Sequence, residues 1–401
     1  MNTVLSKKCS STQERNKGRD VGSSKVRPTC NIHGVRGANR NRTLRELSDA
    51  GVARMCLQMT ACVCACSIMA SCTAATILHV SEDGDDSNPG TLSAPLLTIA
   101  HADHIAKPGY QIHVAPGTYR LSAPLSNSVG LTTKANGTAA ARIKFISSIK
   151  GGAKLVVTGA GTAWKSRGNY VDIEGFDISG SGRHGILASG NELKIEHNFV
   201  HDLKVSGGCT GSGGAAIDTD GTVGNVLIEN NVIRNIGYSM IGKCNTIQGI
   251  YVANSNNIVK NNIVSGVAAA GIHQWHGATA STILNNTVFQ CKVGILIGQG
   301  DSGRSKNGSS DNYVANNIVY DNLTYGIVEG GAVGGNNRYV NNLTYRNGTN
   351  IRVSGFVKGT ISVDPEFVHY EKNGMGDYRV SIKSPAIGRG AILRMVDSER
   401  D

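Results

Sequence analysis

One short phrase returns through the middle of the chain and limits its fold more than any other feature. Between residues 255 and 345 the sequence reads NNIVKNNIVSG, TILNNTVFQ, DNYVANNIVYDN and NNRYVNNLTYRN. Each copy sets an Asn pair (Asn261-Asn262, Asn285-Asn286, Asn316-Asn317, Asn341-Asn342) ahead of two residues that are mostly apolar or β-branched. A second phrase follows about ten residues later: GIHQW from Gly271, GILIG from Gly294, GIVEG from Gly326. Self-similarity at roughly 20–30 residues, with strand-like alternation and no helical spacing, is the mark of a solenoid whose turns contribute short strands. The architecture this implies is an all-β parallel β-helix.

The same register extends backwards. Asn230-Asn231 with GIYVA, His197-Asn198 with AAIDT, and Gly175-Phe176 with GILAS make three earlier coils. The second Asn of each pair then forms a column, Asn198, Asn231, Asn262, Asn286, Asn317 and Asn342. An amide repeated at one turn position can bond backbone groups of its own coil and its neighbours above and below. This column is read as scaffold and not as an active site.

Charge and cysteine both divide the chain near residue 72. Residues 1–72 hold 12 Lys/Arg against 4 Asp/Glu, whereas the rest holds 28 against 25, so the net charge of +11 belongs mostly to the leader. No nucleic-acid footprint remains in the body. Seven of the ten cysteines also precede residue 73. The run MCLQMTACVCACSIMA is short for a bilayer span and is preceded by Arg45 and Arg54, as in a secretory signal over residues 55–75. Met69-Ala70-Ser71-Cys72 resembles a bacterial lipobox, which would lipidate Cys72; ordinary cleavage near Ala74-Ala75 is the alternative. Residues 1–54 read as a basic disordered extension or a start placed too early. The expectation is a monomeric body without a transmembrane span: secreted, periplasmic, or tethered to the outer membrane by lipid.

Residues 76–140 read as an N-terminal cap and first strands, 141–360 as the coils, and 361–401 as a C-terminal cap. Within the first block, DGDDSNPGT is a turn-rich loop, and Leu97–Lys107 has the apolar spacing of a short helix that can cover the solenoid end. This block resembles the opening of the pectate-lyase-like right-handed β-helix superfamily: a strand, G-x-D-x-N-P-G-T, a Pro, T-I, a helix, P-G-D and V-x-P-G-T-Y. Tyr110 departs from it, standing where Asp usually follows Pro-Gly. At the far end Val363-Asp364-Pro365-Glu366-Phe367, Asp377-Tyr378-Arg379 and Ser384-Pro385-Ala386-Ile387 are similar as well. The resemblance covers residues 76–391 and implies a right-handed β-helix with a short N-terminal cap helix. It leaves the reaction open, because the superfamily holds lyases, hydrolases, epimerases and non-catalytic binders.

With the Ile of each GI phrase inward, the residue after it points outward, and so does the one two further on. One outward row is Leu187, Asp218, Tyr251, His273, Leu296, Val328; the next is Ser189, Asp220, Ala253, Trp275, Gly298, Gly330. Coils stack about 4.8 Å apart, so Asp218, Asp220, Tyr251, His273 and Trp275 gather in one sugar-sized patch. Long insertions flank it: 203–214 and 237–248 ahead of their strands, and 298–310 after its strand. Long loops in a compact repeat usually carry function, and these would wall a groove. Cys209 and Cys244 lie in neighbouring insertions and can form a disulfide in an exported protein, leaving Cys291 as an unpaired core thiol. His276 adjoins the patch, but its direction is not fixed by the sequence.

Other polar groups have plainer readings. Glu174, Glu196, Glu229 and Lys260 form a charge ladder on another face. His101, Asp103 and His104 fall on the cap helix without the makings of a metal site, and Asp83, Asp85 and Asp86 lack the spacing of a calcium loop.

Three functions fit the patch. A polysaccharide lyase acting on a uronate-containing glycan would draw base and acid from Tyr251 and His273, with Lys243 and Arg304 neutralising the carboxylate. A glycoside hydrolase would use Asp218 and Asp220, which lie about 6–7 Å apart along one strand; alternatively those two carboxylates hold Ca²⁺. A non-catalytic binder would only grip a glycan, with Trp275 as the platform. No cofactor other than possible calcium is implied. The calcium-plus-Lys or calcium-plus-Arg machinery of the superfamily's lyases has no matching motif here, and the Asp-Pro-His signature of its epimerases is missing.

Overall fold

The computed structural model describes residues 75–391, apart from 211–212, 220, 222–223 and 301–307. Nearly every strand in it belongs to one of three parallel sheets. The first has eleven strands, from Ile77–Val80 to Phe356–Lys358; the second has nine, from Gly117–Ala123 to Leu343–Tyr345; the third also has nine, from Val129–Thr133 to Thr349–Arg352. The chain visits the three in turn, so each circuit adds one strand to each sheet. The result is a right-handed parallel β-helix.

Stacked inward side chains explain why these segments are strands. In the first sheet Ile112, Phe145, Ile173, Ile195, Ile228, Val259, Ile283, Val314 and Tyr339 sit one above another. In the third, Trp164, Ile186, Ile217, Ile250, Ile272, Ile295 and Ile327 do the same. All are fully buried. β-branched residues suit this pleated, close-packed interior.

The Asn phrase makes the corner between the first two sheets. Its first residue takes a left-handed backbone, with φ between 52° and 59° at His197, Asn230, Asn261, Asn285, Asn316 and Asn341. Asn tolerates that conformation better than most side chains. The second residue turns inward. Its Oδ1 accepts the backbone N–H of the equivalent Asn one coil earlier at 2.9–3.1 Å, from Asn198 through to Asn342. Its Nδ2 donates to the earlier coil's carbonyl, Ile228 in the case of Asn262. Shorter ladders of the same kind run through Asn312–Asn337 and Asn322–Asn347.

The coils begin earlier than residue 141. Ile77–Val80 and Gln111–Val114 already pair in register with the first sheet. The cap helix spans Ile99–Ile105, two residues shorter at each end than expected. Thr98 caps it, accepting the His101 N–H, and Asp86 holds Thr98 in turn. Asp103 is buried against the third sheet and accepts the N–H groups of Lys134 and Ala135. Residues 361–391 first stack on the last strand of the second sheet, where Ile361 bridges Leu343. They then run back along the second sheet, where Tyr378 meets Phe289 at 4.4 Å and Phe367 meets Tyr320 at 5.6 Å. Val357, the inward residue of the last strand, is left 44% exposed. No helix among the described residues is long and apolar enough to cross a membrane.

Candidate functional site

The third sheet carries the expected outward row. Leu187 pairs with Asp218, Asp218 with Tyr251, Tyr251 with His273, His273 with Leu296 and Leu296 with Val328. A cavity of about 830 Å³ lies over this row, with Asp218, Tyr251, His273, Trp275 and His276 in its lining. One wall is stapled: Cys209 and Cys244 form a disulfide with Cα atoms 5.1 Å apart. Cys291 is a buried free thiol, pushed up to about 12 by burial. The lining runs from His184 to Leu296 over successive coils, so the groove follows the solenoid axis, with Gly214, Asn245 and Thr246 on the stapled side. Residues 301–307 of the insertion expected opposite lie outside the described residues.

Two further aromatic rings, those of Trp275 and His276, flank Tyr251 and His273. The Tyr251 and His273 rings meet edge-on at 5.1 Å between centroids, and His276 closes on Tyr251 at 5.5 Å and 90°. Trp275 stands 5.0 Å from His273. A left-handed turn directs His276: its φ is 55° and that of Gly277 is 78°. That turn, which sequence reading left open, folds the ring back over the phenol. His273 is only 8% exposed, and neither ring nitrogen has a hydrogen-bond partner. Burial, reinforced by the nearby His276, pushes its pKa down to about 3, so the ring is neutral at physiological pH.

Trp275 is seated on glycine. A Cβ at Gly300 would come 2.1 Å from Trp275 Cζ2, one at Gly298 3.0 Å from Cζ3, and one at Gly331 3.3 Å from Cη2. The indole therefore lies on a surface that only missing side chains can provide, and it borders the groove.

A family model for the right handed beta helix region matches residues 146–305. The chain is a right-handed parallel β-helix protein. Comparison with curated protein sequences gives no match. Among solved structures it is similar to the pectate lyase Pel9A, with 16% identity, TM-score 0.59, and 80% of this chain aligned with 93% of that one. It is also similar to a rhamnogalacturonan lyase (16%, TM-score 0.54, 74% and 91% covered) and to an alginate lyase from Paenibacillus sp. str. FPU-7 (18%, TM-score 0.52, 72% and 96% covered). At these identities the likeness establishes the fold alone.

The β-helix also places residues in the groove that sequence reading passed over: His184, Gln248, Asn245 and Lys292. For His184 and Gln248 the reason is the glycine of the GI phrase. A Cβ at Gly249 or Gly271 would strike Val264 or Val288 of the core at 2.7 or 2.4 Å. Gly and Ile thus both face inward, strand alternation breaks once per coil, and the residue ahead of the glycine turns to the groove. At that position His184 Nε2 lies 3.1 Å from Asp218 Oδ2, and its Nδ1 lies 2.9 Å from Thr162 Oγ1. Asp218 is thus tied to a histidine.

Lys243 is exposed on the turn after residues 238–240 and does not line the cavity. Lys292 does, donating to Asn245 Oδ1 at 2.6 Å. Its signal was only its place two residues ahead of Gly294. Asp220, Arg304 and Cys72 lie outside the described residues, as does the segment read as a signal. Among the described residues no group of three or more His, Cys, Asp or Glu side chains is arranged to hold a metal. The carboxylates of Glu174, Glu196 and Glu229 stack with Lys260 on the first sheet, away from the groove; burial raises the pKa of Glu196, and Lys260 Nζ sits 2.9 Å from Glu229.

Proposed function

We propose that this protein binds an acidic polysaccharide along the groove and cleaves it by β-elimination. The observation that carries the reading is the central pair: a neutral imidazole with two buried, unpartnered nitrogens beside a phenol on the preceding coil. In the proposed step His273 takes the proton α to the uronate carboxylate. The electron pair forms the new C=C bond, the glycosidic C–O bond breaks, and the Tyr251 O–H gives its proton to the departing oxygen. Burial alone makes His273 a weak base, but a bound carboxylate favours its protonated form and raises its pKa where the step needs it. Lys292 on the rim can neutralise that carboxylate, the role first assigned to Lys243 and Arg304. Trp275 is the stacking platform.

The neighbours whose printed names are pectate, rhamnogalacturonan and alginate lyases agree with a polysaccharide substrate. The Cys209–Cys244 disulfide fits an exported, oxidising setting. We take the active unit to be a monomer and assign calcium no role.

The test is a panel of acidic polysaccharides followed by ultraviolet absorbance, since β-elimination leaves unsaturated uronate ends. Cleavage with that absorbance, reduced about 10²–10⁴-fold by His273→Ala and by Tyr251→Phe, supports the reading. New reducing ends without absorbance, abolished by Asp218→Asn or Asp220→Asn, would give the site to hydrolysis. A glycan retained on a column of the protein but never cleaved would make it a binder.

A further inference from the structure

The floor of the groove changes character at His273. On its N-terminal side the lining is polar, with His184, Asp218 and Gln248. On its C-terminal side Ala270, Val293 and Val328, joined by Leu296 and Tyr325, form a hydrophobic cluster separate from the solenoid core. Their register puts them on the outward rows: Ala270 pairs with Val293 and Val293 with Tyr325, while Leu296 stands between His273 and Val328. Ala270, Val293 and Val328 are themselves nearly covered, so the accessible face of this cluster is Leu296 and Tyr325 with the edge of Val293. Outward positions of a solenoid have no core to fill, and apolar side chains gathered there mark an interaction site. Ala270, Val293 and Leu296 line the cavity itself. The next charged side chain in that row is Arg352, two coils or roughly 10 Å past Leu296. Lys292 Nζ lies at Asn245, on the polar side of the groove where the carboxylate of the cleaved uronate is proposed to sit, and is directed away from this patch.

We infer that the sugar seated on the C-terminal side of His273 carries an apolar substituent packed on Val293 and Leu296: an O-acetyl group, a methyl ester, or the C6 methyl of a 6-deoxyhexose. This names the substrate class of the groove and rests on the reading that the groove holds a polysaccharide. A bare uronate there would press its carboxylate and hydroxyls against Ala270, Val293 and Leu296, which return no hydrogen bonds. A methyl group loses nothing in the same place and gains contact with Leu296. Discrimination by one such group in an apolar pocket is about ten-fold or more.

The experiment uses paired polymers: O-acetylated polymannuronate and its de-acetylated form, methyl-esterified polygalacturonate and its saponified form, and a polymer alternating 6-deoxyhexose with uronate beside a homopolyuronate. Two readouts run in parallel, ultraviolet kcat/KM for cleavage and quenching of tryptophan fluorescence for binding. The second reports the groove because the other tryptophan, Trp164, is fully buried with its Nε1 bonded to Thr133. The expected result is a preference of about ten-fold for the substituted member of one pair, and the pair that shows it identifies the substituent. Leu296→Asn and the isosteric Val293→Thr should each bring that preference to within about two-fold, with the smaller change in melting temperature for the first, whose side chain is the more exposed. If both members of every pair are cleaved equally, or the bare polymer is preferred, the inference fails while β-elimination stands. If nothing is cleaved but the substituted member binds more tightly, the inference holds and β-elimination falls. No cleavage and no difference in binding overturns both.

Discussion

Replacing Gly300 by Ala should disable the groove without substituting any of the residues that line it. The three atoms nearest an added Cβ all belong to Trp275, at 2.1 Å (Cζ2), 2.7 Å (Cε2) and 2.9 Å (Nε1). Gly300 has no left-handed φ, so alanine meets no backbone penalty there. Ordinary carbon contacts lie near 3.5–4.0 Å, so the indole must withdraw by about 1.4–1.9 Å. Gly298 would be a poor choice for the same test, because its Cβ would stand 1.8 Å from the Gly330 carbonyl and disturb the sheet.

A displacement of that size in a positioning group costs up to about 10²-fold in turnover efficiency. Outright loss of a stacking aromatic costs about 1–3 kcal/mol of binding. Gly300→Ala should therefore lower kcat/KM by roughly 10–100-fold and weaken the fluorescence-monitored binding of the same polymer, while stability stays within about 0.5 kcal/mol. The decisive measurement is a double-mutant cycle. In a Trp275→Ala background the alanine at 300 has no ring to displace, so its effect should vanish to within about two-fold. A Gly300→Ala defect of the same size in both backgrounds would refute the platform argument, and so would a fully active single variant.

Three further outcomes follow from the geometry. Asn262→Ala removes the acceptor of the Asn231 backbone N–H and the donor to the Ile228 carbonyl, and urea unfolding should show a loss of about 1–3 kcal/mol. Cys209→Ser opens a bridge with a sequence separation of 35; loop-closure entropy predicts a loss of roughly 3–4 kcal/mol, with melting of the oxidised wild type as reference. Acid sensitivity should trace to His273, whose folded pKa lies near 3 against 6.5 unfolded. The unfolded chain binds the proton first, so stability is intact above pH 6.5 and falls as pH drops towards 3, by about 2 kcal/mol at pH 5. His273→Gln should flatten that limb of the stability–pH curve. His201 acts in the opposite sense: burial lowers its pKa, but hydrogen bonds to Asp177 and Asp202 outweigh this and raise it, so its contribution is lost as pH rises.

How much of this could be read from residues alone follows from which signals repeat. The outward row through Asp218, Tyr251 and His273 was legible because strand alternation has a period of two and each GI phrase restates its origin. The Asn column was legible for the same reason. The first coils were not, because they lack the phrase: at the matching corner Ser147 accepts the Ala153 N–H and donates to the Ile149 carbonyl. A corner satisfied by one hydroxyl leaves no pattern in a single sequence. His184 and Gln248 were hidden by the inward glycine, which shifts alternation by one residue without changing the residue types around it.

The platform was the least legible feature, because it is written across coils. Trp275 lies on one coil, while the glycines that make room for it, Gly298 and Gly300 on the next and Gly331 on the one after, read singly as ordinary turn residues. Only stacking converts a missing Cβ on one turn into a bed for a ring on another. The same pairing across coils makes the polar-to-apolar change at His273, since Leu296 and Val328 become a floor only beside Ala270 and Val293. In a solenoid the repeating positions specify the scaffold, because every coil needs the same core residue and the same corner. A site needs one coil to differ from the next. It is therefore carried by departures from the repeat, such as Asp218, Tyr251 and His273 between Leu187 on one side and Leu296 and Val328 on the other, and by what neighbouring coils omit to accommodate them.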